Sequence, residues 1–286
     1  MNIIYLSPQG SFNPRLFPTF KKTFEEQGHT ETIIPGVATH CFLELQSGDV
    51  SYNQYALDVL KEKGVPIIAF DSREWGGMKN EKWHPTNFPI SIYFVRNMNK
   101  EEAYPDNVFP YDWPFFPECD YPLTTKEELN SRPYDCCLIS VESPARRNVV
   151  DGILKDGRLK LNYKFLDHTE RMPYDQWVNE HRKSKLYISC EGGGYSNERP
   201  NQLFSVAGQL NVTSNYSPAN KMKWGVECLE ISEYPTKEEI DEILEVIMDE
   251  DWLFDVYTGG VEFTKEKLSE KSVSEYVLNT LKDVGV

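Results

Sequence analysis

Three glycines in a row, Gly192, Gly193 and Gly194, follow Glu191 at the end of a short apolar run over residues 186–190. Glycine carries no Cβ, so such a loop turns tightly or lets the backbone approach a ligand closely. A helix-like stretch over 199–207 comes next, entered through Ser196, Asn197 and Glu198, with Arg199 and Pro200 at its start and Gln202 in its first turns. Residues 210–213 then read as the following strand. Strand, glycine loop, helix N-terminus and strand together present unpaired N–H groups to an anion, most often a phosphate. A tight βα turn without a ligand has the same pattern, so the neighbouring residues decide between the two.

Arg146 and Arg147 supply the second chemical signal, in the first turn of a helix expected over 145–154. The helix macrodipole disfavours cations there. Guanidinium groups beside unpaired N–H groups make sense with a diphosphate between them; a solvent-facing pair balanced by Glu142 is the plainer alternative. For a base, Asp71 and Glu74 stand at the carboxyl end of an apolar strand over 65–70, where α/β sheets place their ligands. Capping is the ordinary role of either one. The five histidines are scattered, His168 included, and Trp75 and Trp83 suit core packing as well as stacking on a sugar ring.

The elements that must position these residues alternate strand and helix. Strands are expected over 2–6, 29–34, 65–70 and 90–96, with helices over 17–27 and 52–63 between them. Residues 104–121 are too rich in proline and aromatics for regular structure and read as a crossing between domains. The alternation restarts with a strand over 134–141, the Arg146 helix, a strand over 159–166, a helix over 173–184 and the strand before the glycines. A short strand over 227–231, a helix over 236–248 capped by Thr236 with Glu239, and a last helix over 272–282 complete the chain. The fold class is therefore α/β with parallel sheets in two Rossmann-like domains, 1–122 and 123–286.

Composition narrows the function. The 286 residues carry a net charge of −15, which argues against general affinity for nucleic acid. Only residues 129–226, with 14 basic and 10 acidic side chains, are net positive, and they contain the glycine loop and both arginines. No run reaches the roughly 18–20 apolar residues of a membrane span. The N-terminus reads as a first strand, and six cysteines without a CxxC pair suggest reduced thiols, so a cytoplasmic protein without bound metal is expected. GxSxG, Walker lysine and GxGxxG motifs do not occur.

The order of strand, Arg-bearing helix, strand, helix, then Ser189-Cys190-Glu191-Gly192-Gly193-Gly194, Arg199 and Ala207-Gly208, resembles the donor-binding domain of two-Rossmann (GT-B) glycosyltransferases, closest to the exostosin-like group. The resemblance covers residues 134–213 and implies two domains facing a cleft, the acceptor on the first and a nucleotide-sugar on the second, with the last helix packing back on the first. It implies donor contacts from Arg146, Arg147, Glu191 to Gly194, Glu198, Arg199 and Gln202. It also implies that no cofactor or metal is needed. The only near match to the Asp-x-Asp of metal-dependent single-Rossmann transferases, Asp249-Glu250-Asp251, is expected to end a helix. Two positions depart from the family: Gln202 stands where a ribose-binding Glu is usual, and Asn211-Val212 replaces a proline-containing strand. Gln202 favours the alternative of a non-catalytic nucleotide- or partner-binding protein. The acceptor stays open among glycan, small molecule, protein and modified nucleic acid.

Overall fold

The computed structural model describes residues 1–7, 16–45, 53–71, 90–95, 98, 103–112, 114–115, 120–167, 169, 172–190, 202–213 and 220–286. The chain divides into two compact units, one of Met1–Pro114, Tyr216–Asn220 and Glu270–Val286, the other of Phe115–Asn215 and Lys221–Ser269.

The first unit contains a six-stranded, all-parallel sheet. Its elements are β1 (Asn2–Leu6), α1 (Leu16–Glu26), β2 (Thr30–Glu31), β3 (His40–Leu45), α2 (Gln54–Glu62), β4 (Ile67–Asp71), β5 (Ile90–Val95) and β6 (Val108–Pro110), in the spatial order β2-β1-β3-β4-β5-β6. Strand β3 alternates its side chains between two cores. Cys41, Leu43 and Leu45 join Ala56, Leu57 and Leu60 of α2. Phe42 faces an aromatic layer in which Phe20 of α1 and Phe94 of β5 each lie 5.1 Å from the Phe70 ring. Phe17, Phe20 and Phe24 recur at helical spacing, which is why α1 buries one stripe against that layer.

Three elements of the first unit differ from the sequence-based expectation. The strand expected over 29–34 is only Thr30–Glu31; Pro35 starts a 3-10 turn, and Ile33 is left 86% exposed. The central position goes instead to β3, whose His40 and Glu44 conceal an otherwise apolar run. Within the proline-rich stretch, Val108–Pro110 pairs with β5 as an edge strand, where a proline is tolerated.

The second unit begins with α3 (Lys126–Asn130), entered through a capping box of Thr125 and Glu128. Then come β7 (Tyr134–Val141), α4 (Pro144–Asp156), β8 (Leu161–Leu166), α5 (Tyr174–His181), β9 (Ser184–Ser189), β10 (Gly208–Val212), β11 (Leu229–Ile231), α6 (Lys237–Met248) and α7 (Glu250–Lys267). The five strands are parallel in the order β11-β10-β9-β7-β8. One face carries Leu138, Leu186, Ile188, Leu210 and Leu229, packed with residues of α4, α6 and α7.

Helix α7 went unread because Gly259-Gly260 resembles a break. In the structure those glycines admit backbone: a Cβ on Gly259 would overlap the Val226 carbonyl oxygen, and one on Gly260 would lie 2.7 Å from Glu227 O. The capping box of Thr236 and Glu239 on α6 is present as read from the sequence. The final helix, α8 (Glu270–Asp283), belongs to the first unit, contacts α1, and Tyr276 donates from its hydroxyl to Pro110 O at 2.8 Å. Among the described residues no helix is long and apolar enough to cross a membrane.

Candidate functional site

In the second unit the chain leaves β7, runs through α4 to β8 on one side, then returns through α5 to β9 on the other side of β7. Connections therefore diverge between β7 and β9, and an open α/β sheet binds its ligands at the carboxyl ends of such strands. Two of the sequence-derived segments leave from this point. One is the start of α4 after Val141; the other is the segment after Ser189 that contains Glu191, Gly192, Gly193, Gly194, Glu198 and Arg199, all outside the described residues.

The start of α4 is fixed locally. Ser143 is its N-cap, accepting from Arg146 N at 3.4 Å, and Pro144 takes the first helical position, where its missing N–H costs nothing. This cap has a local signature, the Ser-Pro pair. Adjacent helical residues point about 100° apart, and the two arginines accordingly separate. Arg147 turns to Glu142, with Nε and Nη2 at 2.8 and 2.7 Å, and lays its guanidinium over the Phe165 ring at 4.4 Å. Arg146 folds back to the strand end, where Nη1 donates to Val141 O at 2.7 Å. Arg146 thus stands at the switch point, while Arg147 is held by the edge strand β8.

The chain beyond residue 201 is pinned from several directions. Gln202 is half-buried and opens a short helical piece; Leu203, Val206 and Ala207 pack with Tyr187 and Val178. Ser205 accepts from Tyr121 N at 3.1 Å through its hydroxyl. The Tyr257 hydroxyl donates to Ser205 O and accepts from Thr124 N, both at 2.9 Å, and Thr124 Oγ1 donates to Val206 O. Arg132 closes the set with bonds to Ser184 O and Thr124 Oγ1, each 2.8 Å. Burial pushes its guanidinium down to about 10, still charged at neutral pH. No short motif marks Tyr257, which lies more than fifty residues from its partners in sequence.

In the first unit Asp71 is the last residue of β4 and is 5% exposed. Its register partner on β3 is Leu45, so Asp71 lies on the α2 side of the sheet. Glu44, unread in the sequence because β3 was missed, is fully buried next to Phe70 on the opposite side. Two carboxylates therefore stand at neighbouring strand ends. Glu74, Trp75, Trp83 and His168 lie outside the described residues.

The Asp249-Glu250-Asp251 triplet ends α6 and also begins α7. The Asp249 carboxylate caps α7 by accepting from Asp251 N and Trp252 N at 3.1 and 3.0 Å, and Asp251 pairs with Lys126. These groups are committed to the helix junction.

No family model and no curated protein matches this sequence. Solved structures do match. An α-glucosyltransferase, solved in complex with UDP-glucose and DNA containing an abasic site, superposes with a TM-score of 0.57 at 8% identity, covering 98% of each chain. Anabaena Alr3699/HepE, solved with UDP-glucose, gives 0.56 at 10% identity over 99% of this chain and all of that one. Sucrose-phosphate synthase from Thermosynechococcus elongatus gives 0.50 at 9% identity over 99% of both. The fold is of the GT-B type. At these identities the likeness extends to the fold of the GT-B glycosyltransferases and no further.

Proposed function

We propose that the chain is a glycosyltransferase that moves a sugar from a nucleotide-sugar donor to an acceptor hydroxyl, without a catalytic metal. The observation that carries this reading is the convergence of the capped α4 N-terminus, Arg146 and the exit of the glycine segment on the β7/β9 switch point. Helix N–H groups and a guanidinium there would stabilise the charge that develops on a departing diphosphate. Arg146, Glu191 to Gly194, Glu198, Arg199 and Gln202 form the donor set, with unit 2 in the exostosin-like donor-binding role. Asp71 or Glu74 is the candidate base for the acceptor hydroxyl should the reaction invert the anomeric centre; retention would need no such base. The net charge of −15 weighs against a polyanionic acceptor and favours a glycan or small molecule.

Calorimetric titration with uridine, UDP and UDP-glucose tests the binding, and release of free glucose from UDP-glucose tests the chemistry. The expected result is UDP binding well above uridine, with slow donor hydrolysis. No binding of either nucleotide at roughly 1 mM, the upper end of ordinary substrate constants, overturns the reading. Binding without any turnover, with or without candidate acceptors, would instead favour the non-catalytic alternative.

A further inference from the structure

A parallel sheet covered on both faces normally carries apolar side chains on both. The sheet of the second unit has an apolar cluster on each face, the one around Leu138 and Leu210 being the larger. On the other, the Tyr187 hydroxyl donates to Gln209 Oε1 at 2.6 Å, and the Gln209 amide donates to Asn211 Oδ1. Tyr187 is fully buried and Gln209 nearly so. Burying polar groups is costly unless every one finds a partner, and apolar residues would fill the same space without that demand.

The network runs toward the carboxyl edge, where it meets a row of polar groups. Asn211 is the register partner of Ser189 on β9 and of Glu230 on β11. Register partners project to the same face, so hydroxyl, amide and carboxylate stand side by side on three adjacent strands about 4.8 Å apart. Ser189 is 7% exposed, and Asn211 and Glu230 are half-buried. Among the described residues no hydrogen bond engages the Ser189 hydroxyl or the Glu230 carboxylate. Because Asn211 Oδ1 is occupied by Gln209, its amide offers N–H to the edge. The row therefore presents a donor, a charged acceptor and a hydroxyl that can do either.

A phosphate would be repelled by Glu230. A pair of neighbouring hydroxyls fits: one accepts from Asn211 and donates to Glu230, and the other bonds Ser189. We propose that Ser189, Asn211 and Glu230 bind the vicinal diol of a sugar, either the ribose of the nucleotide or the transferred hexose, with Tyr187 and Gln209 as positioning residues. This rests on the nucleotide-sugar reading above and adds a subsite to it.

The test compares wild type with Glu230→Ala and Asn211→Ala by calorimetry, using UDP, 2′,3′-dideoxy-UDP and UDP-glucose. Loss of a charge-assisted hydrogen bond predicts about tenfold weaker binding or more. If the ribose is the ligand, UDP and UDP-glucose weaken and the dideoxy nucleotide does not. If the hexose is the ligand, only UDP-glucose weakens. Either pattern supports the subsite. Unchanged affinity for all three ligands overturns it, and so does an equal loss for all three, which marks general damage. A wild-type chain that binds none of them overturns the nucleotide-sugar reading itself.

Discussion

Replacing Arg146 and Arg147 separately by alanine distinguishes two side chains that the sequence could not. Arg147 is about two-fifths exposed and tied to Glu142, an ion pair of the surface kind that contributes roughly 0–1 kcal/mol. Its stacking on Phe165 adds about 0.5–1 kcal/mol at an exposed position. Arg147→Ala should therefore lower stability by about 0.5–2 kcal/mol and leave UDP affinity within about threefold. Arg146 reaches the end of β7 at the switch point, where a diphosphate would meet the α4 N-terminus. Its removal should cost a charge-assisted hydrogen bond, about 1.5–3 kcal/mol, or at least roughly tenfold in UDP affinity. Uridine has no phosphate to lose and should bind each variant alike. Arg146→Lys should recover only part of the loss, because an ammonium lacks the two-pronged fork. Calorimetry with UDP and uridine on all three variants, with chemical denaturation as the stability control, reads every term. Equal losses for UDP and uridine in Arg146→Ala, or a larger UDP loss in Arg147→Ala, would refute the assignment.

Gly259→Ala, ordinarily a gain of up to about 1 kcal/mol inside a helix, should here destabilise by about 1–3 kcal/mol, because its methyl overlaps the Val226 carbonyl; an unchanged or raised denaturation midpoint would refute this. Tyr257→Phe strips a buried hydroxyl from both Thr124 N and Ser205 O and should cost about 1–3 kcal/mol by denaturant titration. Glu239 gives a pH signature: burial pushes its carboxyl up, but bonds from Thr236 and Ser232 outweigh that and hold it below the usual 4.5. A folded-state value below the unfolded one means stability that is present above about pH 4.5 and lost as the pH falls through the folded value. The stability gap between wild type and Glu239→Gln should therefore be open at pH 7 and close in acid; a gap independent of pH would contradict the assignment. Finally, EDTA should leave donor hydrolysis intact, and activity lost to chelation and restored by Mn²⁺ or Mg²⁺ would overturn the metal-free mechanism.

Local signals carried far in this chain. Apolar runs bounded by turn formers located β1, β4, β5, β7 and β9, and Thr236 with Glu239 located the start of α6. These are legible because strand burial and helix capping depend on residues within a few positions of one another. Where a long-range partner decides the outcome, sequence was silent or misleading. Glu44 hid the central strand β3, since a carboxylate interrupts the apolar run in sequence although the folded strand buries it fully. Gly259-Gly260 concealed α7, since the reason for two glycines is backbone that lies more than thirty residues away. Arg146 and Arg147 were equivalent on paper; Glu142 and Phe165 separate them only once β8 lies beside β7. The polar row of Ser189, Asn211 and Glu230 has no linear signature, because strand register, a property of the folded sheet, brings three distant residues onto one face.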